Sequence, residues 1–175
     1  MGMAPTPGRR VTAAAEGDVV VFLIGMRINH WRAVRHWLPA LAAMPRMLKE
    51  LSRNADSGLL GLRGLGGGPR VYGVVQYWES REKLLAYASD RGGRHHPAWA
   101  AFNRRVRGSK GGVGIWHETY IVPAGSYESV YCDMPPTGLG AAWGVEPAGR
   151  RGERAAQRLA SAAVERQRRS STSSA

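Results

Sequence analysis

The sequence predicts an α+β fold in which strands and helices follow each other in the order β-α-β-β-α-β. Three observations support this prediction. A β-branched apolar run at residues 18–29 precedes apolar side chains at helical spacing, two strand-like runs flank the glycine cluster at residues 66–68, and a further helical region precedes a last strand at residues 115–122. This split order is the ferredoxin-like arrangement, a four-stranded antiparallel sheet with both helices on one face.

Length and composition indicate one ordinary domain. The chain has 175 residues, of which 43% are hydrophobic and 22% charged, the balance of a globular protein with a core. Its first part is rich in Gly, Pro and Ala, and its last part is basic and ends in serines. We therefore expect a flexible leader over residues 1–17, a folded domain over residues 18–143 and a basic flexible or helical tail over residues 144–175.

The first half of the domain consists of a strand and a helix. The strand at residues 18–29 ends at Asn29. After it, apolar residues recur at steps of three and four and describe a helix whose apolar stripe faces a sheet: Trp31, Val34, Trp37, Leu38, Leu41 and Met44. Pro39 and Pro45 interrupt this pattern, and we expect a break or kink near one of them because proline removes a backbone donor.

The second half supplies a hairpin, two helical segments and the last strand. The hairpin strands are predicted at residues 59–64 and 70–78. Ser80 is a suitable N-cap for the next helix, and Pro97 suits the first turn of another. Residues 115–122 then form a strand by their β-branched and aromatic content.

A sheet with helices on one side leaves its other face bare. The chain has aromatic and apolar side chains to cover that face, which implies that a second copy packs there. We therefore expect a homodimer whose two sheets close into a dimeric α/β barrel.

The net charge of +12 is concentrated at the ends of the chain. Between residues 150 and 169, seven arginines accompany two glutamates. We interpret this segment as a solvated tail, and nucleic-acid binding is the less favoured interpretation.

The sequence has no membrane-spanning or secretory feature that we recognise. The apolar run at residues 19–25 is too short to span a bilayer and lacks the features of a secretory signal, and Cys132 is the only cysteine. We therefore expect a cytoplasmic protein with no membrane partner.

Two of the five histidines stand out by their predicted positions. His96 immediately precedes Pro97 at a helix start, and His117 lies within the last strand among apolar neighbours. Taken alone, each has an ordinary explanation: a strand histidine is more often a satisfied core group than a catalyst, and a histidine before proline is often a loop residue. Glu118 adjoins His117 but points to the other face of a regular strand, so it is not expected to orient that histidine.

The neighbouring motifs favour a functional interpretation of both histidines. They are a His-Pro helix start, a strand His-Glu pair and a closing Thr-Gly-Leu, within residues 77–80, 84–88, 96–102, 116–120 and 134–140. Over residues 18–143 the chain resembles the monooxygenase family, once a domain of unknown function, that is typified by the antibiotic-biosynthesis type enzyme of the fumagillin pathway. Over residues 77–140 it resembles, more distantly, the carboxy-terminal half of haem-dependent aldoxime dehydratases.

The resemblance to the dehydratases implies a b-type haem. By position, His96 would be its proximal metal ligand and His117 would act as an acid/base on the distal side, which suits an imidazole. His95 stays open as the ligand in place of His96. Arg27 and Arg63, predicted inside strands, could bind the haem propionates, although solvent-facing arginines are the more frequent case.

The resemblance to the monooxygenases implies a cavity lined by other residues. Members of that wider superfamily oxidise electron-rich aromatic substrates inside the barrel, some of them without a cofactor. An asparagine at the end of the first strand lines the cavity, and Asn29 matches it by location. A tryptophan or histidine of the second helical region also lines it, and Trp78 or Tyr87 could match that position.

We therefore predict a haem-dependent monooxygenase-like enzyme that oxidises a small, mostly apolar metabolite in the barrel cavity. The alternatives are a haem-dependent lyase or dehydratase, a cofactor-free monooxygenase of the antibiotic-biosynthesis type, and a haem carrier or basic nucleic-acid-binding module.

Overall fold

The computed structural model describes residues 8–89, 100, 104 and 106–161, which form both strands and helices. The elements, in chain order, are β1 (Arg10–Ala13), β2 (Val19–Ile28), α1 (Val34–Arg53), β3 (Leu59–Gly66), β4 (Val71–Trp78), α2 (Arg81–Ser89), β5 (Val113–Val122), β6 (Tyr131–Cys132), α3 (Leu139–Trp143) and β7 (Val145–Pro147). Short 3-10 helices lie at Ala55–Ser57 and Ala148–Arg150.

The larger sheet has the strand order β3-β4-β2-β5. β3 and β4 pair antiparallel on either side of the glycine cluster, as predicted. The end of β2 meets the start of β4, where the Ile28 N–H donates to the Arg70 carbonyl at 2.8 Å. It also meets the start of β5, where the Asn29 N–H donates to the Gly112 carbonyl at 2.9 Å. This order of strands confirms the ferredoxin-like α+β fold.

One face of this sheet, which we call the helix face, carries the core of the compact unit Phe22–Thr119. Met26 and Ile28 of β2 and Val113 of β5 are buried there against Ala40 of α1. The helical residues 106–108 precede β5, and Val106 packs against the same cluster. Because side chains alternate along a strand, the residues between these core positions fall on the opposite face.

α1 differs from its predicted form in two ways. The helix, all of which is described, is continuous through Pro39 and Pro45, so of the expected break or kink the break does not occur. Packing of one side of α1 against the sheet compensates for the backbone hydrogen bonds that the prolines remove. The predicted apolar stripe divides into two: Trp37 and Leu41 contact the core, whereas other members are exposed, namely Trp31, Val34 and Leu38.

A second compact unit contains the described residues 8–21 and 120–161. Its three-stranded sheet has the order β6-β1-β7, and Val11 of β1 lies opposite Tyr131 on one side and Pro147 on the other. Tyr131 is buried with Ala13 and Ala15 in a small separate core. This core forms because β1 brings together two segments that are distant in the sequence.

This unit changes our view of the predicted leader and tail. Residues 10–13 form a central strand rather than part of a flexible leader, and residues 145–147 and 155–161 are a strand and a helical segment. Arg158, only 4% exposed, pairs with Glu128 at 2.9 Å and donates to two backbone carbonyls, those of Gly152 and Glu153. This tail cation is therefore neutralised inside the fold and is not solvated.

Candidate functional site

His117 lies in the middle of β5, on the helix face of the sheet. It occupies the same face as Val113 and Ile115, which contact the core, because it follows them at steps of two. Its ring is exposed and lies against Phe22 of β2, with 5.9 Å between the ring centroids and 42° between the ring planes. Within the described part of the chain no hydrogen-bond or ion-pair partner of His117 is found. The imidazole is thus available to a ligand that rests on Phe22.

Asn29 lies where β2 ends, and both groups of its side-chain amide are in use. Its Oδ1 accepts a 2.6 Å hydrogen bond from an Arg27 guanidinium nitrogen, and its Nδ2 donates to the Gly111 carbonyl at 2.9 Å. The second bond fixes the turn that precedes β5, in which Lys110 has a left-handed φ of 48°. In this arrangement Asn29 positions a turn. It pairs with Gly112, which precedes His117 by five residues.

Trp78 is a core residue at the end of β4. It is fully buried, its indole N–H donates to Gln76 Oε1 at 3.0 Å, and its ring lies 5.3 Å from that of Tyr87 on α2. Burial raises the pKa of the Tyr87 hydroxyl, and the charge of Glu50 raises it further. A fully enclosed indole cannot touch a substrate in this conformation, so Trp78 is better explained as packing between the sheet and α2.

Arg27 and Arg63 are exposed on the face of the sheet opposite His117. Arg27 stands between the buried core residues Met26 and Ile28, and Arg63 pairs across β3–β4 with Val75, whose neighbours on the strand face the helices. Neither guanidinium can therefore reach a group bound beside His117 in the same chain. Among the predicted site residues that the structure describes, Arg27 contacts Asn29 and Trp78 contacts Tyr87, and neither pair includes His117.

The predicted metal ligand His96 and its neighbour His95 lie outside the described residues. Within the described ranges, no three side chains of His, Cys, Asp or Glu are grouped so that they could hold a metal ion. In the same part of the chain, no helix is long and apolar enough to cross a membrane.

One contact on the opposite face of the sheet was not predicted from the sequence. The indole of Trp116 extends from β5 across β2 to β4, over Gly25 and Gly73. A Cβ atom at Gly25 would lie 2.7 Å from this ring, and one at Gly73 would lie 3.4 Å from it. The available signal was a glycine inside each of two neighbouring strands, which often marks a close approach of another group.

Comparisons with known proteins agree with the sequence motifs. The model of a family described as "Monooxygenase af470-like" matches residues 19–139. The curated protein "Monooxygenase af470" from Aspergillus fumigatus is 31% identical in an alignment of 147 residues, which covers 78% of this chain and 52% of that protein. The chain thus spans about half the length of the curated relative that it matches. The predicted resemblance to this monooxygenase family is confirmed.

Among solved structures, the chain is similar to aldoxime dehydratase OxdRE in complex with butyraldoxime. The TM-score is 0.57 at 18% identity, and the match covers 82% of this chain and 40% of that one. A cofactor-independent oxygenase from Streptomyces nogalater, SnoaB, matches with a TM-score of 0.40 and 11% identity over 59% of this chain and 91% of its own. The likeness to the dehydratase concerns the fold alone.

Proposed function

We propose a monooxygenase function for this chain, which belongs to the monooxygenase af470-like family. Its substrate is a small, mostly apolar molecule that binds on the helix face of the sheet beside Phe22 and His117. The observation that carries the proposal is the position of His117, an exposed imidazole that lies against an aromatic ring and has no polar partner among the described residues.

In the proposed reaction, His117 accepts a proton from an activated carbon of the substrate. A methylene group becomes a carbonyl group: the carbon loses both hydrogens, one atom of O2 enters the product, and the other atom leaves as water with those hydrogens. The substrate carbon supplies every electron that O2 takes up, so the balance closes without an outside reductant. Phe22 offers an apolar surface on which an aromatic substrate can stack.

Oxygen uptake with anthrone tests the role of His117, because the methylene of anthrone is activated by two aryl rings. We expect uptake by the unaltered protein and a rate lower by about 100-fold or more in His117→Ala. His30→Ala, which removes another exposed histidine of the same unit, is the matched control and should keep the rate. No uptake by the unaltered protein rejects the proposed substrate class, and a full rate in His117→Ala rejects the proposed base.

Haem b with His96 as its ligand is a separate part of the proposal. The described residues fit it only in part, because Arg27 and Arg63 face away from His117 and cannot bind the propionates of a haem beside it in the same chain. We therefore assign no step to haem. Titration with hemin tests it: a Soret band that is lost in His96→Ala and kept in His117→Ala supports haem binding. A protein that does not take up hemin would contradict the haem proposal and leave the cofactor-free monooxygenase as the alternative.

We also propose a homodimer in which the second copy packs on the face of the sheet opposite the helices. Leu23, Leu65 and Trp116 lie on that face, and each is apolar and only half-buried. We expect a dimeric mass in analytical ultracentrifugation and a monomeric mass for Leu65→Asp. Leu85→Asp, which changes an exposed leucine of α2, should leave the dimer intact. A dimer that survives Leu65→Asp places the interface elsewhere.

A further inference from the structure

We propose that one side of α1, together with Trp31, is a docking surface for a bilayer that contains anionic lipids. We call this surface the α1 ridge and define it by Trp31, Val34, Leu38, Ala42 and Pro45. The proposal replaces the expectation of no membrane partner, since it concerns binding at the surface of a membrane, and it does not depend on the proposed oxidation.

The α1 ridge is apolar and exposed. Its helical members follow each other at steps of four, four and three residues, so they form one row along the helix, and all of them are exposed. Trp31, Val34 and Leu38 are 39%, 44% and 48% exposed. α1 already buries a separate apolar stripe against the sheet. A helix with one buried face normally has a polar second side, so the ridge is an apolar surface that the fold itself leaves uncovered.

Trp31 is held in place although it is exposed. The indole N–H of Trp37 donates to the Trp31 carbonyl at 3.0 Å, and the two rings meet edge to face with centroids 5.6 Å apart. The guanidinium of Arg70 lies 5.5 Å from the Trp31 ring centroid. Since Trp37 packs against the core, these contacts fix the Trp31 ring relative to the sheet. An indole that is held in place and partly exposed to solvent is the kind of side chain that prefers the boundary between lipid and water.

Positive charge surrounds the α1 ridge. The sequence contains no acidic residue between Asp18 and Glu50. Four cationic side chains border the ridge or lie at the same end of the sheet, and none forms an ion pair with a carboxylate in the described part of the chain; they are Arg32, Arg35, Arg70 and Lys110. Hydrogen bonds of Asn29 connect Arg70 with Lys110, since Arg70 donates to the Asn29 carbonyl and the Asn29 side-chain amide donates to the turn that carries Lys110.

The combination of the two features identifies the partner. Unpaired cations attract the negative headgroups of a bilayer, and aliphatic side chains gain free energy only when they leave water for an apolar phase. A nucleic acid would use the cations but not Val34 and Leu38, because its contacts are made by phosphates and stacked bases. The row of aliphatic side chains therefore favours a lipid surface over a nucleic acid.

Vesicle flotation with the full chain tests this proposal. We expect binding to vesicles of phosphatidylcholine with phosphatidylglycerol and little binding to vesicles of phosphatidylcholine alone. The double variant Val34→Ser/Leu38→Ser should bind the anionic vesicles about tenfold more weakly or worse. Arg32→Gln and Arg35→Gln should each weaken binding about fivefold.

The matched controls lie on α2. Leu85→Ser removes a leucine that is 56% exposed, and Arg81→Gln removes an exposed arginine; both should bind like the unaltered chain. All six substituted positions are exposed, and far-UV circular dichroism tests whether each variant is folded. Should Val34→Ser/Leu38→Ser lose its fold, Trp31→Ala serves as the second ridge variant, with the same expected loss of binding.

Three results would overturn the proposal. The first is no flotation with either vesicle. The second is flotation that the ridge variants do not change. The third is binding of single-stranded DNA that falls in the arginine variants and is unaffected by Val34→Ser/Leu38→Ser, without vesicle binding, which would assign the surface to a nucleic acid.

Discussion

The indole of Trp116 lies directly over Gly25, so close that a Cβ atom there would be 2.7 Å from the ring. Gly25→Ala must therefore displace Trp116 or the strand beneath it, and we expect the free energy of unfolding to fall by about 1–3 kcal/mol. Chemical denaturation followed by tryptophan fluorescence measures this change. Gly64→Ala is the control, because no atom lies within 4 Å of a Cβ at that position. Equal stability of the two variants would contradict the contact.

The burial of Trp78 predicts that this residue contributes to stability and not to chemistry. Trp78→Ala should lower the free energy of unfolding by about 3–5 kcal/mol, because it removes a fully buried side chain and leaves Gln76 without its indole donor. Leu85→Ala, at an exposed position, should change it by about 0.5 kcal/mol or less. A soluble, stable Trp78→Ala protein with altered substrate turnover would instead support the cavity role that the sequence suggested.

Asn29 is predicted to act by holding the turn before β5. Asn29→Ala removes the bonds to Arg27 and Gly111, and we expect a loss of about 1–3 kcal/mol in the free energy of unfolding. Hydrogen exchange measured by mass spectrometry should show faster exchange of the amide of Gly112 and its neighbours. Exchange that stays unchanged at this turn would show that Asn29 does not position it.

Although Cys132 is exposed, its thiol should be a weaker nucleophile than the thiol of a free cysteine. Its Sγ lies 3.4 Å from Asp133 Oδ2, and this hydrogen bond and the negative charge of Asp133 raise the pKa of the thiol, while Arg10 lowers it by a smaller amount. A raised pKa means that less thiolate forms at a given pH, so alkylation by iodoacetamide should begin at a higher pH than for a free cysteine. Because Cys132 is the only cysteine, the reaction reports on it alone.

Asp133→Asn is the informative variant for this thiol. Asparagine tolerates the left-handed φ of 53° at position 133 and removes the negative charge. The pH dependence of alkylation should then move to lower pH. A shift to higher pH, or none, would be inconsistent with the assigned hydrogen bond.

The ion pair between Arg158 and Glu128 predicts that the basic tail contributes to folding. Arg158→Met leaves Glu128 and two backbone carbonyls without their cation, and we expect the free energy of unfolding to fall by about 3 kcal/mol. Arg154→Met, at an exposed arginine one turn earlier, should have little effect. Thermal unfolding of both variants measures the difference, and a tail that is merely solvated would respond equally to the two substitutions.

The order of the strands and helices could be predicted because it depends on local patterns. The β-branched run of β2 and the glycines at residues 66–68 fix a strand and a hairpin within short windows of sequence. The apolar spacing of α1 predicts a helix, but it does not show which side of the helix packs against the sheet. Leu38 and Trp37 are adjacent on the helix and equally apolar, and only the position of the sheet decides that Trp37 is covered and Leu38 exposed.

The second sheet could not be predicted because its pairings are not local. β1 pairs with β6 and β7, whose residues follow it by more than half the length of the chain, and a short run such as residues 10–13 carries no pattern that identifies such partners. For the site, the sequence placed His117 in the last strand, and its register in β5 puts it on the helix face. The sequence could not show that Arg63 and His117 lie on opposite faces of the sheet, because the face on which a side chain lies depends on strand register.

The position of β1 in the middle of the smaller sheet has a practical consequence for protein production. An expression fragment trimmed to the family match, residues 19–139, would lack β1 and β7 and would leave the edge of β6 and the side chain of Tyr131 exposed. Such a fragment is prone to strand-to-strand aggregation. Ligand screening and crystallisation therefore require the chain with both of its outer segments retained.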